Sequence, residues 1–258
     1  MERPDEVGVK LLQKMSAALR TGHYSSRTEE AYAKWVVEYV RFCGMRHPEE
    51  MGAEEVAGFL GHLAVERKLS ASSQNQALSA LLFLYRHVLG RELGELGAFA
   101  RAKGPRRLPV VLTHREVKAV LGELRGVYRL GGQLMYGGGL RLGECAALRV
   151  KDVDFERREV TIRRGKGQVD RVTPLPQRSA EGLKAQIADV VCGHKRDRED
   201  PRYGGVTLPF ALERKMPRAS QDVPWLFLFP ATRRSLDDKG RFRRHHRDPT
   251  AFQRAVRS

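Results

Sequence analysis

YGGGLRLGECAALRVKDVDFERREVTIRRGKGQVDRVTPLP, residues 136–176, decides how the rest of the chain is read. Three glycines precede Arg141, and Glu144 stands one helical turn behind it in a short apolar stretch. A charged side chain among apolar neighbours is paired or working, because leaving it buried and unpaired is expensive. Further on, EVTIRR (159–164) and VDRVTPL (169–175) alternate in the manner of strands, with GKGQ as the turn between them. The pattern predicts a β-hairpin with Lys166 at its tip. Arg141, Glu144 and Lys166 each have a plain reading. The arginine can close a helix end with Glu144, and the lysine can be a solubilising turn residue. Together, in a basic protein, they fit phosphoryl chemistry. An arginine fork holds two non-bridging phosphate oxygens, and a lysine on a turn delivers a proton to a leaving oxygen.

Other chemistries lack their residues. GGGLRLG has neither the spacing nor the preceding strand of a dinucleotide site, and Gly165-Lys166 lacks the upstream glycine of a phosphate-binding loop. No HExxH and no G-x-S-x-G occurs. Cys43, Cys145 and Cys192 are scattered, which indicates neither a zinc site nor a disulfide framework, so no metal or cofactor is expected. Lys and Arg number 47 against 31 Asp and Glu, a formal net charge of +16, and the positive charge is clustered. That favours nucleic acid as the partner over an incidentally basic surface. The N-terminus has no apolar signal core, and the longest apolar run, LLFLY at 81–85, is too short for a bilayer. No membrane association and a cytoplasmic, nucleoid-associated protein are the expectation.

Along the chain, helices are expected over about 7–20, from Ser26 to Gly44 with SRTE as a capping box through Glu29, over 53–68, and over 71–89. These form a bundle over 1–100. RAKGPRRLP (101–109) reads as a basic linker within 101–110. Its Arg101, Lys103, Arg106 and Arg107 are candidates to lie along a phosphate backbone. A second domain, 111–258, opens with the capping box THRE at Thr113 and continues with a helix over 126–136. Beyond the hairpin, 178–222 reads as a helix followed by an irregular basic stretch. WLFLFP (225–230) reads as a buried strand or loop, and 233–257 is rich in arginine. The fold class is mainly α with a small antiparallel sheet.

The 136–176 stretch resembles the first active-site box of the tyrosine recombinases followed by their catalytic-lysine hairpin. The helical N-terminal region and basic linker are similar to their SAM-like core-binding domain. RYGGVTLPFALERKMPRA (202–219), WLFLFP, and RRHH (243–246) with FQRAV (252–256) resemble segments that mark integron integrases. The resemblance implies a two-domain, C-shaped clamp on DNA and site-specific strand exchange. A tyrosine attacks a DNA phosphate, a 5′-hydroxyl leaves, and the 3′-phosphotyrosyl bond keeps the phosphodiester energy without metal or nucleotide. It makes Arg141 the first catalytic arginine, Glu144 its acidic neighbour and Lys166 the general acid. It also implies tetramers on two sites, and binding of duplex and of folded single-stranded sites. Trp225, His245 and His246 would meet bases, with Arg243 and Arg244 close to DNA. For Trp225, core packing beside Leu226 and Phe227 is the equal alternative.

The chain departs from that pattern. None of its eight histidines has Arg three positions on, and its last tyrosine is Tyr203, before the RRHH segment. The expectation is a catalytic domain truncated before the His-x-x-Arg and tyrosine boxes, inactive alone, with apolar surface left exposed. Tyr203 is the first suspect for a substitute nucleophile. LDDKG (236–240) replaces the usual D-P-R turn. The alternatives are a DNA-binding remnant that occupies recombination sites, and a generic basic nucleic-acid-binding protein.

Overall fold

The computed structural model describes residues 4–94, 102, 108, 110–163, 169–209 and 212–257. The chain divides into two compact units, Met1–Pro109 and Val110–Ser258.

The first unit holds α1 (Pro4–Thr21), α2 (Ser26–Phe42), α3 (Ala53–Val65) and α4 (Ala71–Phe83), the last prolonged by wide turns over Leu84–Val88. Its apolar residues recur at helical spacing and meet in one core built from Met15, Leu19, Val36, Tyr39, Phe59, Leu63, Leu81 and Tyr85. Two polar contacts fix the register inside it. The Tyr39 and Tyr85 hydroxyls meet at 3.0 Å, and Trp35 Nε1 donates to Gln76 Oε1 at 3.1 Å. The expected SRTE box does not form. Ser25, one residue earlier, caps α2 by accepting from the Thr28 amide, and Glu29 turns instead to Arg20, with N–O distances of 2.8 and 3.1 Å. A guanidinium offering two parallel donors outcompetes one backbone amide for the carboxylate. The third helix also stops three residues early, at Val65 rather than 68.

In the second unit, the Thr113 box does form. Thr113 N donates to Glu116 Oε2 at 2.7 Å and Glu116 N to Thr113 Oγ1 at 3.3 Å, opening α5 (His114–Glu123). Then follow α6 (Gly126–Gly138) and α7 (Leu142–Ala146), a sheet in the order β1 (Val153–Asp154), β2 (Glu159–Ile162), β3 (Arg171–Pro174), and α8 (Ala180–Asp197). The β2–β3 pairing is antiparallel with Val160 opposite Thr173 and Ile162 opposite Arg171, as the alternation requires. Val160 and Ile162 point into a core of Leu134, Leu140, Cys145, Leu148, Leu183, Leu228 and Phe229.

The WLFLFP segment is a buried loop. Leu226, Phe227, Leu228 and Phe229 are all inside, and its backbone is satisfied by the segment after α7, through Leu228 N to Leu148 O at 2.7 Å and Val150 N to Leu226 O at 3.0 Å. The stretch after α8 carries the short helix α9 (Leu212–Lys215), a hairpin of β4 (Ser235–Leu236) and β5 (Phe242–Arg243), and α10 (Pro249–Arg257). The sequence reading did not resolve β1, the β4–β5 hairpin or α10. No residue of α5 is buried, and Val110, Val111, Leu112 and Val120 are exposed. Among the described residues, no helix is long and apolar enough to cross a membrane.

The C-terminal helix is seated by one side chain. Phe252 is 2% exposed, packs edge-on against Tyr128 and Phe229, and fills the space where a Cβ at Gly131 would stand, 2.4 Å from the Phe252 ring. Phe252→Ala is expected to destabilise the second unit by about 3–5 kcal/mol. Urea unfolding followed by Trp225 fluorescence in a Trp35→Phe background measures it, and a loss under about 1 kcal/mol would contradict this seating.

Candidate nucleic-acid site

The opening glycines bring two chain segments together. A Cβ at Gly137 would meet Pro176 Cγ at 2.7 Å, and Gly139 takes a left-handed φ of 63° that ends α6. Thr173 Oγ1 donates to the Gly138 carbonyl at 2.6 Å, so the end of β3 lies against this turn. Leu140 then enters the core at 5% exposed, and Arg141 becomes the residue that caps α7.

The capping places Glu144 beneath Arg141. The Arg141 amide donates to Glu144 Oε2 at 2.8 Å, and its Nη1 donates to Oε1 at 2.8 Å. A second arginine reaches the same carboxylate. Arg171, on β3, donates Nη1 to Oε1 at 2.9 Å and Nη2 to Oε2 at 2.6 Å, with a further contact to the Gly139 carbonyl at 3.3 Å. The Glu144 side chain is 9% exposed, whereas that of Arg141 is 57% exposed. Arg171's hydrogen bonds first, then those from Arg141, hold the Glu144 carboxyl at a pKa of about 2, against an ordinary 4.5. The carboxylate is therefore ionised at neutral pH, and Arg141 Nε and Nη2 have no partner among the described residues. That leaves an anchored, outward guanidinium with donors to spare, a suitable receptor for a phosphate.

Arg171 was missed in the sequence reading. Its signal was register: a charged residue at the first position of β3, opposite buried Ile162. Lys166 lies in 164–168, outside the described residues, as do Arg101, Lys103, Arg106 and Arg107. The root of its hairpin is held on the other strand, where Arg163 Nε donates to Asp152 Oδ1 at 2.8 Å. Among the described residues, no group of three or more His, Cys, Asp or Glu is arranged to hold a metal ion.

The RRHH segment divides by direction. Arg243 and Arg244, expected close to DNA from local charge, are turned inward. Arg243 is 3% exposed. It donates to Asp237 Oδ2 at 2.9 Å, to Glu213 Oε1 at 2.5 Å, and to the carbonyls of Gly204 and Val206. Arg244 forks onto Asp197, with its Nε at 2.7 Å from Oδ2, and reaches the carbonyls of Ala231 and Thr232. Burying a guanidinium requires such partners, and a phosphate contact would have to break them. His245 is exposed, while His246 is half-buried with its ring edge-on to Phe227 at 5.4 Å. Trp225 is half-buried, so neither pure packing nor full display describes it. Tyr203 is 5% exposed beside His194, and burial pushes its hydroxyl up to about 12, the opposite of what a nucleophile needs.

A family model described as the phage integrase N-terminal SAM-like domain matches residues 11–95, and one described as the phage integrase family matches residues 110–247. Integrase/recombinase proteins of Escherichia coli and Pseudomonas aeruginosa are each 46% identical over 250 residues, covering 96% of this chain and 74% of each relative. The tyrosine recombinase XerA of Thermococcus kodakarensis is 32% identical over 190 residues, covering 72% of this chain and 63% of its own. Among solved structures, a lambda integrase tetramer bound to a Holliday junction aligns with TM-score 0.54 at 18% identity, covering 70% of this chain and 54% of that one. The Tn1549 transposon integrase in complex with transposon right end DNA aligns with TM-score 0.53 at 17% identity, covering 89% and 72%. These structural likenesses concern the fold.

The shared carboxylate has a pH signature. Its folded-state pKa lies below its ordinary value, so the unfolded chain binds more protons between the two, and the stability it contributes is lost as pH falls from 4.5 towards 2. Glu144→Gln is expected to cost about 1.5–3 kcal/mol at pH 7 and to flatten that acid limb. Denaturant midpoints of the two proteins from pH 7 to 2.5 check it, and parallel curves would contradict it.

Proposed function

This chain belongs to the phage integrase family, the tyrosine recombinases, and from that premise we propose that it is a DNA-binding protein of the integron-integrase type carrying half of a recombinase active site. The observation that carries the reading is Arg141, fixed through its amide and Nη1 on Glu144 with its remaining donors turned outward. Such a group neutralises charge on the non-bridging oxygens of a scissile phosphate. Lys166, in the sequence between β2 and β3, would protonate the leaving 5′-oxygen. The first unit and the basic 101–109 stretch would grip the duplex. His245 and Trp225 would meet bases protruding from a folded single strand, with His246 edge-on to Phe227. By the family resemblance, the fold would assemble as a tetramer on two sites.

We infer binding without strand exchange for these 258 residues by themselves. No histidine precedes an arginine by three positions, and Tyr203, the last tyrosine in the sequence, is buried. The chain would then occupy recombination sites and hold them against a competent enzyme. A purely charge-driven binder is the contrasting reading. It would show no preference for a folded site, since backbone contacts carry no sequence information.

The test is a nicked suicide substrate bearing an integron-type site, run beside an active recombinase on a native gel for binding and on a denaturing gel for covalent adducts. Retarded, site-preferring complexes with no covalent adduct are expected. An adduct would overturn the binding-only reading. Equal affinity for the folded site and for random duplex would overturn the integron assignment.

A further inference from the structure

Outside the Arg141–Glu144 cluster, one lysine lies on an aromatic face and not on a carboxylate. Lys151, in the turn Val150–Asp152, places its Nζ 3.0 Å from the centroid of the Trp225 indole. Among the described residues it makes no ion pair. The neighbouring Asp152 carboxylate is already taken by the Arg149 amide at 2.9 Å and by Arg163 Nε at 2.8 Å. Burial first, and then the nearby Arg163, lower the pKa of Lys151, so this position does not favour its charge. What holds it there is the indole face, whose negative quadrupole attracts a cation.

Arg149 braces Trp225 through its backbone and also lies 5.6 Å from the indole centroid. Arg149 Nη1 donates to the Trp225 carbonyl at 2.5 Å and Nη2 to the Thr207 carbonyl at 2.8 Å, while its guanidinium lies 4.3 Å from the Phe227 ring centroid. The aromatic platform is thus fixed, and its cover is a long, flexible, strongly hydrated side chain. The platform also adjoins the root of the hairpin through Arg163 and Asp152, beside the strand that leads to Lys166.

We propose that Lys151 is a displaceable cap on a base-stacking platform: without nucleic acid the ammonium occupies the Trp225 face, and an unstacked DNA base replaces it there while the released ammonium takes that nucleotide's phosphate. Base–aromatic stacking is the stronger of the two contacts, and the freed cation gains a charge partner, so the exchange runs towards bound base. A fully paired duplex offers no base to the indole and leaves the cap in place. Lys151 therefore makes base capture and one phosphate contact a single event, and biases the chain towards extruded bases. This rests on the reading of the chain as a binder of folded single-stranded DNA.

The experiment uses the full chain with Trp35→Phe, which leaves Trp225 as the sole tryptophan of the two in the sequence. Trp225 fluorescence is followed during titration with a DNA hairpin carrying two unpaired, extruded bases, and with the same stem fully paired. The extruded hairpin is expected to quench Trp225 and the paired stem not. Lys151→Met should raise acrylamide quenching of the free protein about twofold by uncovering the ring. It should also make the slope of log affinity against log salt shallower by about 0.7–0.9, the loss of one phosphate contact. Lys151→Arg should keep both properties. Equal quenching by both DNAs would overturn the base-binding reading itself. Quenching by the extruded hairpin alone, with ring accessibility and salt slope unchanged in Lys151→Met, would overturn the cap and leave base stacking standing.

Discussion

The carboxylate of Glu144 is the joint on which the second unit's candidate chemistry depends. It accepts from the Arg141 amide, from the Arg141 guanidinium and from both terminal nitrogens of Arg171. One residue thereby closes the start of α7, pins β3 to it and sets the direction of Arg141. Arg171 engages the carboxylate bidentately, so Arg141 contributes a single guanidinium nitrogen and keeps the rest of its fork. Were Arg171 absent, Arg141 would be free to fold its own fork onto Glu144, and the phosphate receptor would be spent internally. The glycines at 137 and 139 serve the same joint, one by admitting Pro176 and the other by reversing the chain just before Leu140.

In a chain of net charge +16, positive charge alone does not mark a contact surface. Pairing does. Arg243 and Arg244 stand beside His245, yet their guanidinium groups hold α8, α9 and the β4–β5 hairpin together through Asp197, Glu213 and Asp237. The basic run at 241–247 thus contains the fastening of a small hairpin as well as its display. Its fastening is what fixes the exposed His245 and the half-buried His246. The same economy recurs at Arg149, which braces Trp225 from its backbone side.

What the sequence disclosed followed from local rules. THRE and the Arg141–Glu144 spacing are relations within one helical turn, and both are formed as read. The β2–β3 hairpin followed from alternation and a glycine-bearing turn. The misreadings are all contests settled at a distance. Glu29 left its local amide for Arg20 on another helix. Arg243 looked like surface charge until Glu213, thirty positions earlier, and Asp237 closed around it. Arg171 was unremarkable in a strand and is central only because Glu144 lies across from it. The two-residue β1 lacked a pattern of its own and is made by pairing with β2, whereas α10 carries an amphipathic pattern that the reading passed over, seated by Phe252 at Gly131.

The most direct test of this account is a double-mutant cycle on DNA affinity, with Arg141→Ala, Arg171→Met and the pair measured on the same recombination-site DNA by fluorescence anisotropy. If Arg171 acts by freeing the Arg141 fork, Arg171→Met weakens binding on the order of tenfold when Arg141 is present and has almost no effect when Arg141 is already alanine. Equal losses in both backgrounds would mean that Arg171 touches DNA or stabilises the unit on its own, and the joint at Glu144 would not control the candidate site.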